Sequence, residues 1–190
     1  MNHLAISGLP MIEEHEAVGE VAKLYEQGKR ILEAPFVPNS AKVIATSPPI
    51  LEAVMNLYEV FFQKLTLPQS LLAVISYAIP TAKNCLYCSA NQELYCRVVG
   101  IDEATLAKVA QDLGNVSPER VKIVVEFALK CALEPQSLVA GDYDRVRDQG
   151  VSDEELIEII FAAGLANLSD TMADATKIKV DDMVTQALER

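Results

Sequence analysis

The chain has 190 residues, of which 51% are apolar, and its formal net charge is −11. This composition is typical of an ordered globular protein, and the negative charge argues against nucleic acid as a partner, because phosphates are bound by clustered lysine and arginine. The sequence shows no signal peptide and no run of about 18 apolar residues, so no membrane span is expected. We therefore expect a cytoplasmic protein with free thiols.

In chain order, apolar residues recur at helical spacing from Glu16 to Leu32, and a further helix is predicted from Pro49 to about Lys64. No alternation typical of a β-strand persists for more than a few residues. The chain is therefore predicted to be all-α. We expect a single domain over residues 1–190, with lead-in helices in 1–65 and a core in 66–190.

The core carries an internal repeat, in which residues 67–115 align without a gap on residues 117–165 at an offset of fifty. Gly100 aligns on Gly150, and both glycines stand where a helix would end in a left-handed residue. Ser152 begins a possible capping box for the helix that follows Gly150. The repeat predicts two copies of one helix-pair unit.

The segment CLYCSANQELYC, residues 85–96, holds three of the four cysteines. Asn84 suits the N-cap of a helix from Cys85 to Val99, which places Cys85 and Cys88 on one face, close enough for a disulfide. The partial positive charge of a helix N-terminus lowers the pKa of a thiol. An acidic thiol beside a second thiol is the minimum for thiol–disulfide exchange.

Two other interpretations of these cysteines stay open. Cysteine is among the most buried residue types, and this interpretation fits Cys96 and Cys131 best. A structural zinc site needs four ligands, and beyond the segment the chain offers Cys131, His3 and His15 at a distance. We therefore expect no metal and no other cofactor. Tyr87, between the paired cysteines, could donate a hydrogen bond to a thiolate.

The sequence resembles the carboxymuconolactone decarboxylase superfamily, in particular its AhpD-like, peroxidase-related branch. The resemblance is carried by PFVPNSAKVIATSPPILEAVMNLYEVF in the lead-in helices, NCLYCSANQELYCRVVGID in the CxxC helix and GVSDEELIEIIFAAGLANLSDTMADA in the closing helices. It implies an all-α AhpD-like bundle that assembles as a trimer or hexamer. It also implies reduction of peroxides or disulfides, with a thiol protein as reductant.

The AhpD-like relay consists of a glutamate twelve residues before the first cysteine, the two cysteines, and a histidine four residues after the second. The resemblance makes Cys88 the attacking cysteine and Cys85 its partner, but the glutamate position holds Ala73 and the histidine position holds Gln92. Glutamine accepts no proton at useful pH, and loss of a general base slows a reaction by about 10²–10⁴-fold. Glu93, the nearest carboxylate along the helix, should point about 100° away from the dithiol.

Three functions therefore remain open for the chain. The first is a slow thiol-dependent peroxidase or disulfide oxidoreductase that uses the CxxC dithiol. The second is a non-catalytic oligomeric scaffold or small-molecule-binding protein of the same fold, because both relay supports are missing together. The third is a decarboxylase, which would need cationic groups to hold carboxylates, and Arg97 is the one arginine near the cysteine helix. The apolar run LIEIIFAAGLANL predicts either a central core helix or a subunit contact.

Overall fold

A computed structural model describes residues 6–190 of the chain. These residues form ten α-helices and three short 3-10 turns, with no β-strand among them, which confirms the predicted all-α fold. The helices are α1 Gly19–Leu32, α2 Asn39–Ile44, α3 Pro48–Gln63, α4 Gln69–Lys83, α5 Leu86–Val98, α6 Glu103–Gln111, α7 Glu119–Leu133, α8 Ala140–Arg147, α9 Asp153–Thr176 and α10 Asp182–Leu188. The 3-10 turns are Glu14–Glu16, Leu113–Asn115 and Pro135–Ser137.

The helix positions follow the sequence repeat. Helices α4 and α7 have 15 residues each and begin fifty positions apart, and α6 and α9 begin at the same offset. Gly100 and Gly150 both adopt the left-handed conformation, with φ of +87° and +74°. The predicted capping box of α9 is present, because Glu155 N–H donates to Ser152 Oγ at 3.1 Å and Ser152 N–H donates to Glu155 Oε2 at 2.8 Å.

Helix α9 lies at the centre of the bundle, where it packs against α4 and α7. Its Ile159, Ala162 and Ala163 join Ile75 of α4 and Val124 of α7 in the main apolar cluster. By length and composition α9 would be able to cross a membrane. We attribute these properties to its central position, since the apolar cores of helical bundles have the same composition.

The lead-in helices α1–α3 form a second apolar cluster, which includes Tyr25, Leu51 and Met55. Tyr58 of α3 packs against both this cluster and the main one. The lead-in helices therefore rest on the core and, through Tyr58, reach the region of the cysteine helix.

The junction between α4 and α5 differs from the prediction that Asn84 caps α5. Asn84 ends α4 in the left-handed conformation, with φ of +59°, and Cys85 takes the N-cap position of α5. Asparagine tolerates this conformation better than most residues. The N–H of Cys85 donates to the Pro80 carbonyl at 2.9 Å, which satisfies a carbonyl at the end of α4. Because of this sharp turn, α5 packs back against α4, and Cys85 is fully buried at the junction.

Candidate active site

The two cysteines of the CxxC motif differ in their access to the surroundings. Cys85 is 0% exposed, whereas Cys88, at the first turn of α5, is 7% exposed and lines a cavity. Both are free thiols. Their sulfur atoms and a carboxylate oxygen of Asp170 all lie within 4.8 Å of one another. The dithiol is therefore arranged in depth, with one sulfur at the cavity wall and the other behind it.

Asp170 comes from the C-terminal third of α9 and is 1% exposed. The Lys83 ammonium lies 3.2 Å from its Oδ2 and donates a hydrogen bond to Asn167 Oδ1 at 2.7 Å. Lys83 is at ion-pair distance but outside hydrogen-bond alignment, and neither oxygen of Asp170 accepts a hydrogen bond from any N–H or O–H of residues 6–190. A buried carboxylate with unused lone pairs thus faces two thiols.

This neighbourhood reverses the predicted acidity of the Cys88 thiol. The hydrogen bond with Cys85, burial, and the carboxylate charge of Asp170 all raise the pKa of the Cys88 thiol. The prediction that the start of a helix makes this thiol acidic is therefore wrong, because the adjacent thiol, the buried position and the carboxylate outweigh the helix dipole. Cys88 is protonated at rest and requires a proton acceptor to react.

The residues predicted to support the dithiol differ in whether they lie at the site. Gln92 lines the cavity, and its Oε1 is buried without a hydrogen-bond partner among residues 6–190. Ala73 is fully buried in the main apolar cluster and offers no chemistry. Glu93 pairs with Arg97 at 2.7 Å, while Asp170 lies against the sulfurs. Glu93, the nearest carboxylate along the helix, is therefore not the nearest one in space, because α9 brings Asp170 to the sulfurs.

Tyr87 points away from the sulfurs, contrary to its predicted contact with a thiolate. Its hydroxyl donates to Asp181 Oδ2 at 3.0 Å and accepts the N–H of Ser40 at 3.2 Å. Burial and the charge of Asp181 raise the pKa of Tyr87 well above its usual value, so it remains a donor. Because Asp181 also accepts the N–H of Asn39 at 2.9 Å, Tyr87 joins α5 to α2 and to the segment before α10.

The cavity beside Cys88 has a volume of about 580 Å³. Its walls are mainly apolar and aromatic, with a few polar groups near Cys88. The aromatic residues are Phe36, Tyr58, Phe61, Phe62, Tyr87 and Tyr95, and the polar ones include Ser76, Asn91, Gln92 and Ser169. Small-molecule sites in proteins typically combine these features. The cavity suits a neutral, largely apolar molecule that places a reactive atom beside the Cys88 sulfur.

The remaining cysteines and histidines lie outside this site. Cys96 is fully buried in the main cluster, as predicted, and burial together with the charge of Glu93 raises its pKa to about 12. Cys131 is half-buried, and burial raises its pKa to about 11. His15 belongs to the turn Glu14–Glu16 and does not line the cavity, and His3 lies outside the described residues.

Cys85, Cys88 and Asp170 are the one group of potential metal ligands within residues 6–190. No fourth cysteine, histidine, aspartate or glutamate there joins them, so the group lacks the fourth protein ligand of a structural zinc site. The Lys83 ammonium already balances the Asp170 charge. The donor set therefore suits proton and thiol chemistry better than coordination.

No protein-family model matches the sequence, and no curated protein matches it. Among solved structures, the chain is similar to an uncharacterized peroxidase-related protein with an AhpD core from Ralstonia eutropha JMP134, at 25% identity over 91% of this chain and 94% of that one, with a TM-score of 0.76. A peroxidase-related protein from Silicibacter sp. TM1040 matches at 20% identity over 87% and 86% of the two chains, with a TM-score of 0.77.

A third solved structure is a cysteine-to-alanine variant of the debrominase Bmp8 in complex with 2,3,4-tribromopyrrole. It matches at 14% identity over 100% of this chain and 98% of that one, with a TM-score of 0.82. Each of these proteins aligns with at least 87% of this chain. The chain therefore has the AhpD-like fold of the carboxymuconolactone decarboxylase superfamily.

Proposed function

We propose that the protein is a thiol-dependent peroxidase that reduces small apolar hydroperoxides, with Cys88 as the attacking and Cys85 as the resolving thiol. One observation carries the proposal: Cys88 lines the cavity, whereas Cys85 is sealed behind it. This order in depth suits the two roles, since the substrate meets one sulfur and the second sulfur is protected until the first is oxidised.

The reaction balances in two steps. The Cys88 sulfur attacks the distal oxygen of R–O–OH, so that an S–O bond forms, the O–O bond breaks, and the alcohol R–OH leaves after taking the thiol proton. The Cys85 sulfur then attacks Cys88, so that an S–S bond forms and water leaves with the hydroxyl group and the second thiol proton. The two thiols supply two electrons, and an external dithiol restores them by thiol–disulfide exchange.

The test adds cumene hydroperoxide to the reduced protein without air and follows both free thiols and the alcohol product. We expect the four free thiols to fall by two for each alcohol molecule formed. Cys88→Ser should form no alcohol, whereas Cys85→Ser should form one equivalent and retain a sulfenic acid that dimedone traps. Cys131→Ser is the matched control and should behave as the wild type. If all four thiols survived a prolonged excess of peroxide, the peroxidase proposal would be refuted and the non-catalytic, ligand-binding alternative would remain.

A second candidate is reductive dehalogenation of a halogenated aromatic ring. It is supported by the aromatic walls of the cavity and by the likeness to the debrominase Bmp8. The dithiol would again supply two electrons, so that a C–Br bond becomes C–H, bromide leaves and the cysteines form a disulfide. Reduced protein incubated with 2,3,4-tribromopyrrole would release one bromide for each pair of thiols lost. Peroxide turnover without bromide release would favour the first candidate.

Decarboxylation has less support. Arg97, the one arginine near the cysteine helix, pairs with Glu93 and bonds to the Leu188 carbonyl at 3.4 Å. It is therefore engaged, and it does not line the cavity. A site for lactone carboxylates would need a cation that is available to the substrate.

We also propose that the protein assembles as a homo-oligomer, a trimer or a hexamer, and receives electrons from a cytoplasmic thiol protein. The assembly is supported by apolar side chains on the outer face of α9, where Ile157 is 66% exposed and Ile160 and Leu168 are more than one-third exposed. Light scattering on the wild type and on Ile157→Lys tests this: a monomeric wild type would refute it, and dissociation of the variant would support it.

A further inference from the structure

We propose that Asp170 is the proton acceptor of Cys88 and performs the task for which Gln92 is unsuited. The inference concerns a carboxylate that is remote in sequence from the cysteine helix and reaches the dithiol from α9. It rests on the proposed attack by Cys88 and identifies the group that makes this attack possible.

The geometry places an unoccupied acceptor at the reacting atom. A carboxylate oxygen of Asp170 lies within 4.8 Å of both sulfurs, the residue is 1% exposed, and neither oxygen accepts a bond from an N–H or O–H of residues 6–190. Buried carboxylates in proteins are normally satisfied by such donors. The thiols of Cys85 and Cys88 are the available donors, so the unused lone pairs have a chemical partner.

Lys83 places a positive charge beside the acceptor. Its ammonium lies 3.2 Å from Oδ2 and is held by Asn167, whose Nδ2 donates to the Ala132 carbonyl at 2.8 Å. The carboxylate therefore has a cation and two thiols beside it, and a thiol can pass its proton to it. As the sulfur attacks the hydroperoxide, the S–H bond breaks and the proton moves to Asp170. Asp170 then gives it to the departing alkoxide, which leaves as the alcohol, and the carboxylate is restored.

The other ionisable groups around Cys88 are neutral or already paired. Tyr58 of α3 shares a hydrogen bond with Ser169 at 3.3 Å, and burial raises its pKa, so it stays neutral. Tyr87 of α5 bonds to Asp181, which precedes α10. On the far part of α5, Glu93 pairs with Arg97. Asp170 is therefore the carboxylate, and Lys83 the cation, that act directly at the dithiol.

The test measures the rate at which iodoacetamide, a neutral reagent, alkylates Cys88 between pH 6 and pH 8, with peptide-resolved mass spectrometry. In the wild type the proposed acceptor takes the thiol proton as the sulfur attacks, so the rate should change by less than about twofold across this range. In Asp170→Asn the rate should fall by about 100-fold at pH 6 and rise about tenfold per pH unit, as it does for a lone thiol. A tenfold rise per pH unit in both proteins would overturn the proposal, because a structural role of Asp170 leaves the slope unchanged.

Two further measurements keep the result decisive. Alkylation of Cys131 in the same samples is the internal control, and its pH dependence should not change. If Asp170→Asn does not fold, Asp170→Ser should show the same tenfold rise per pH unit, and a level profile in that variant counts against the proposal. Alkylation consumes no peroxide, so a level profile without peroxide turnover would refute the proposed function and leave the proton acceptor intact.

Discussion

The two copies of the repeat, residues 67–115 and 117–165, differ most at the joint after their first helix. In the first copy, left-handed Asn84 turns the chain directly into the 13-residue helix α5. In the second copy, Glu134 has a φ of −141°, and the 3-10 turn Pro135–Ser137 and the eight-residue helix α8 follow. At the first joint the two cysteines are buried, whereas residues 133–137 of the second joint are exposed to solvent and include no cysteine.

The side chains at these two joints differ accordingly. Lys83 and the two cysteines of the first copy are replaced at an offset of fifty by Leu133, Pro135 and Leu138. Since the second copy keeps its helices with other residues at these three positions, the repeat does not need Lys83, Cys85 or Cys88 for folding.

The third helices differ in length, and this difference supplies the carboxylate. Helix α6 has nine residues, whereas α9 begins at the equivalent position and has 24. The extension beyond the repeated part carries Asn167 and Asp170 back to the joint of the first copy. The site is therefore assembled from segments in which the two copies differ, and the segments that they share supply the frame.

The largest effect is expected from making the first joint resemble the second. Cys88→Leu reproduces the residue at position 138 and should reduce peroxide turnover to the background rate, because the sulfur at the cavity wall is lost. The apolar replacement should leave the helical circular dichroism intact. Cys131→Leu is the control outside the joint. If Cys88→Leu were as active as this control, the first joint would not be the site of peroxide turnover.

The next effect concerns a buried carboxylate of the second copy. Glu158 of α9 accepts the N–H groups of Thr66 and Leu67 at 2.8 and 2.9 Å, where the first copy begins. Glu158→Ala leaves these donors unpaired and should lower the free energy of unfolding by about 3 kcal/mol, measured by urea denaturation. The equivalent residue of the first copy, Lys108, is exposed, and Lys108→Ala should change stability by less than about 0.5 kcal/mol. Equal losses would contradict this account.

A third prediction tests what the copies share. Gly100 and Gly150 both have positive φ, so Gly100→Ala and Gly150→Ala should each cost about 1–2 kcal/mol in thermal or urea unfolding. An added Cβ meets no atom within 4 Å at Gly100 and only Arg120 Nη1, at 3.6 Å, at Gly150, so the two costs should be similar. A cost at one position alone would show that the two turns are not equivalent.

The smallest effect sharpens the difference between the joints. Asn84→Ala should cost about 1 kcal/mol, because alanine lacks the tolerance of asparagine for the left-handed conformation. Glu134→Ala, at the matching position with negative φ, should be close to neutral. Asn84→Gly should be at least as stable as the wild type, and a destabilised glycine variant would indicate that the Asn84 side chain is needed for another reason.

The sequence was sufficient for features that depend on local pattern. The helical spacing, the glycines that end helices and the cysteine pair at the start of a helix are all set by neighbouring residues, and the repeat reinforced them. Asn84 was assigned to the wrong helix end, because asparagine suits both an N-cap and a left-handed terminus. The choice between these two positions depends on where α4 ends, which the sequence did not reveal.

The sequence was insufficient for features that depend on how distant helices meet. Asp170 is 82 positions from Cys88, and nothing in its local pattern distinguishes it from the other acidic residues of the chain. Its burial is decided by how α9 packs against α4 and α5, which the sequence around it does not show. Tyr87 likewise found its acceptor, Asp181, near the far end of the chain.

The complete burial of Cys85 has a consequence for the return half of the proposed cycle. A reducing thiol that approaches from the cavity can reach only Cys88, so the mixed disulfide must form there and Cys85 must be the sulfur that departs. Reduction would then always begin with attack on the Cys88 sulfur and release the Cys85 thiol first. The donor would need a slender, protruding cysteine or a small dithiol that fits between aromatic walls, which would select electron donors by shape.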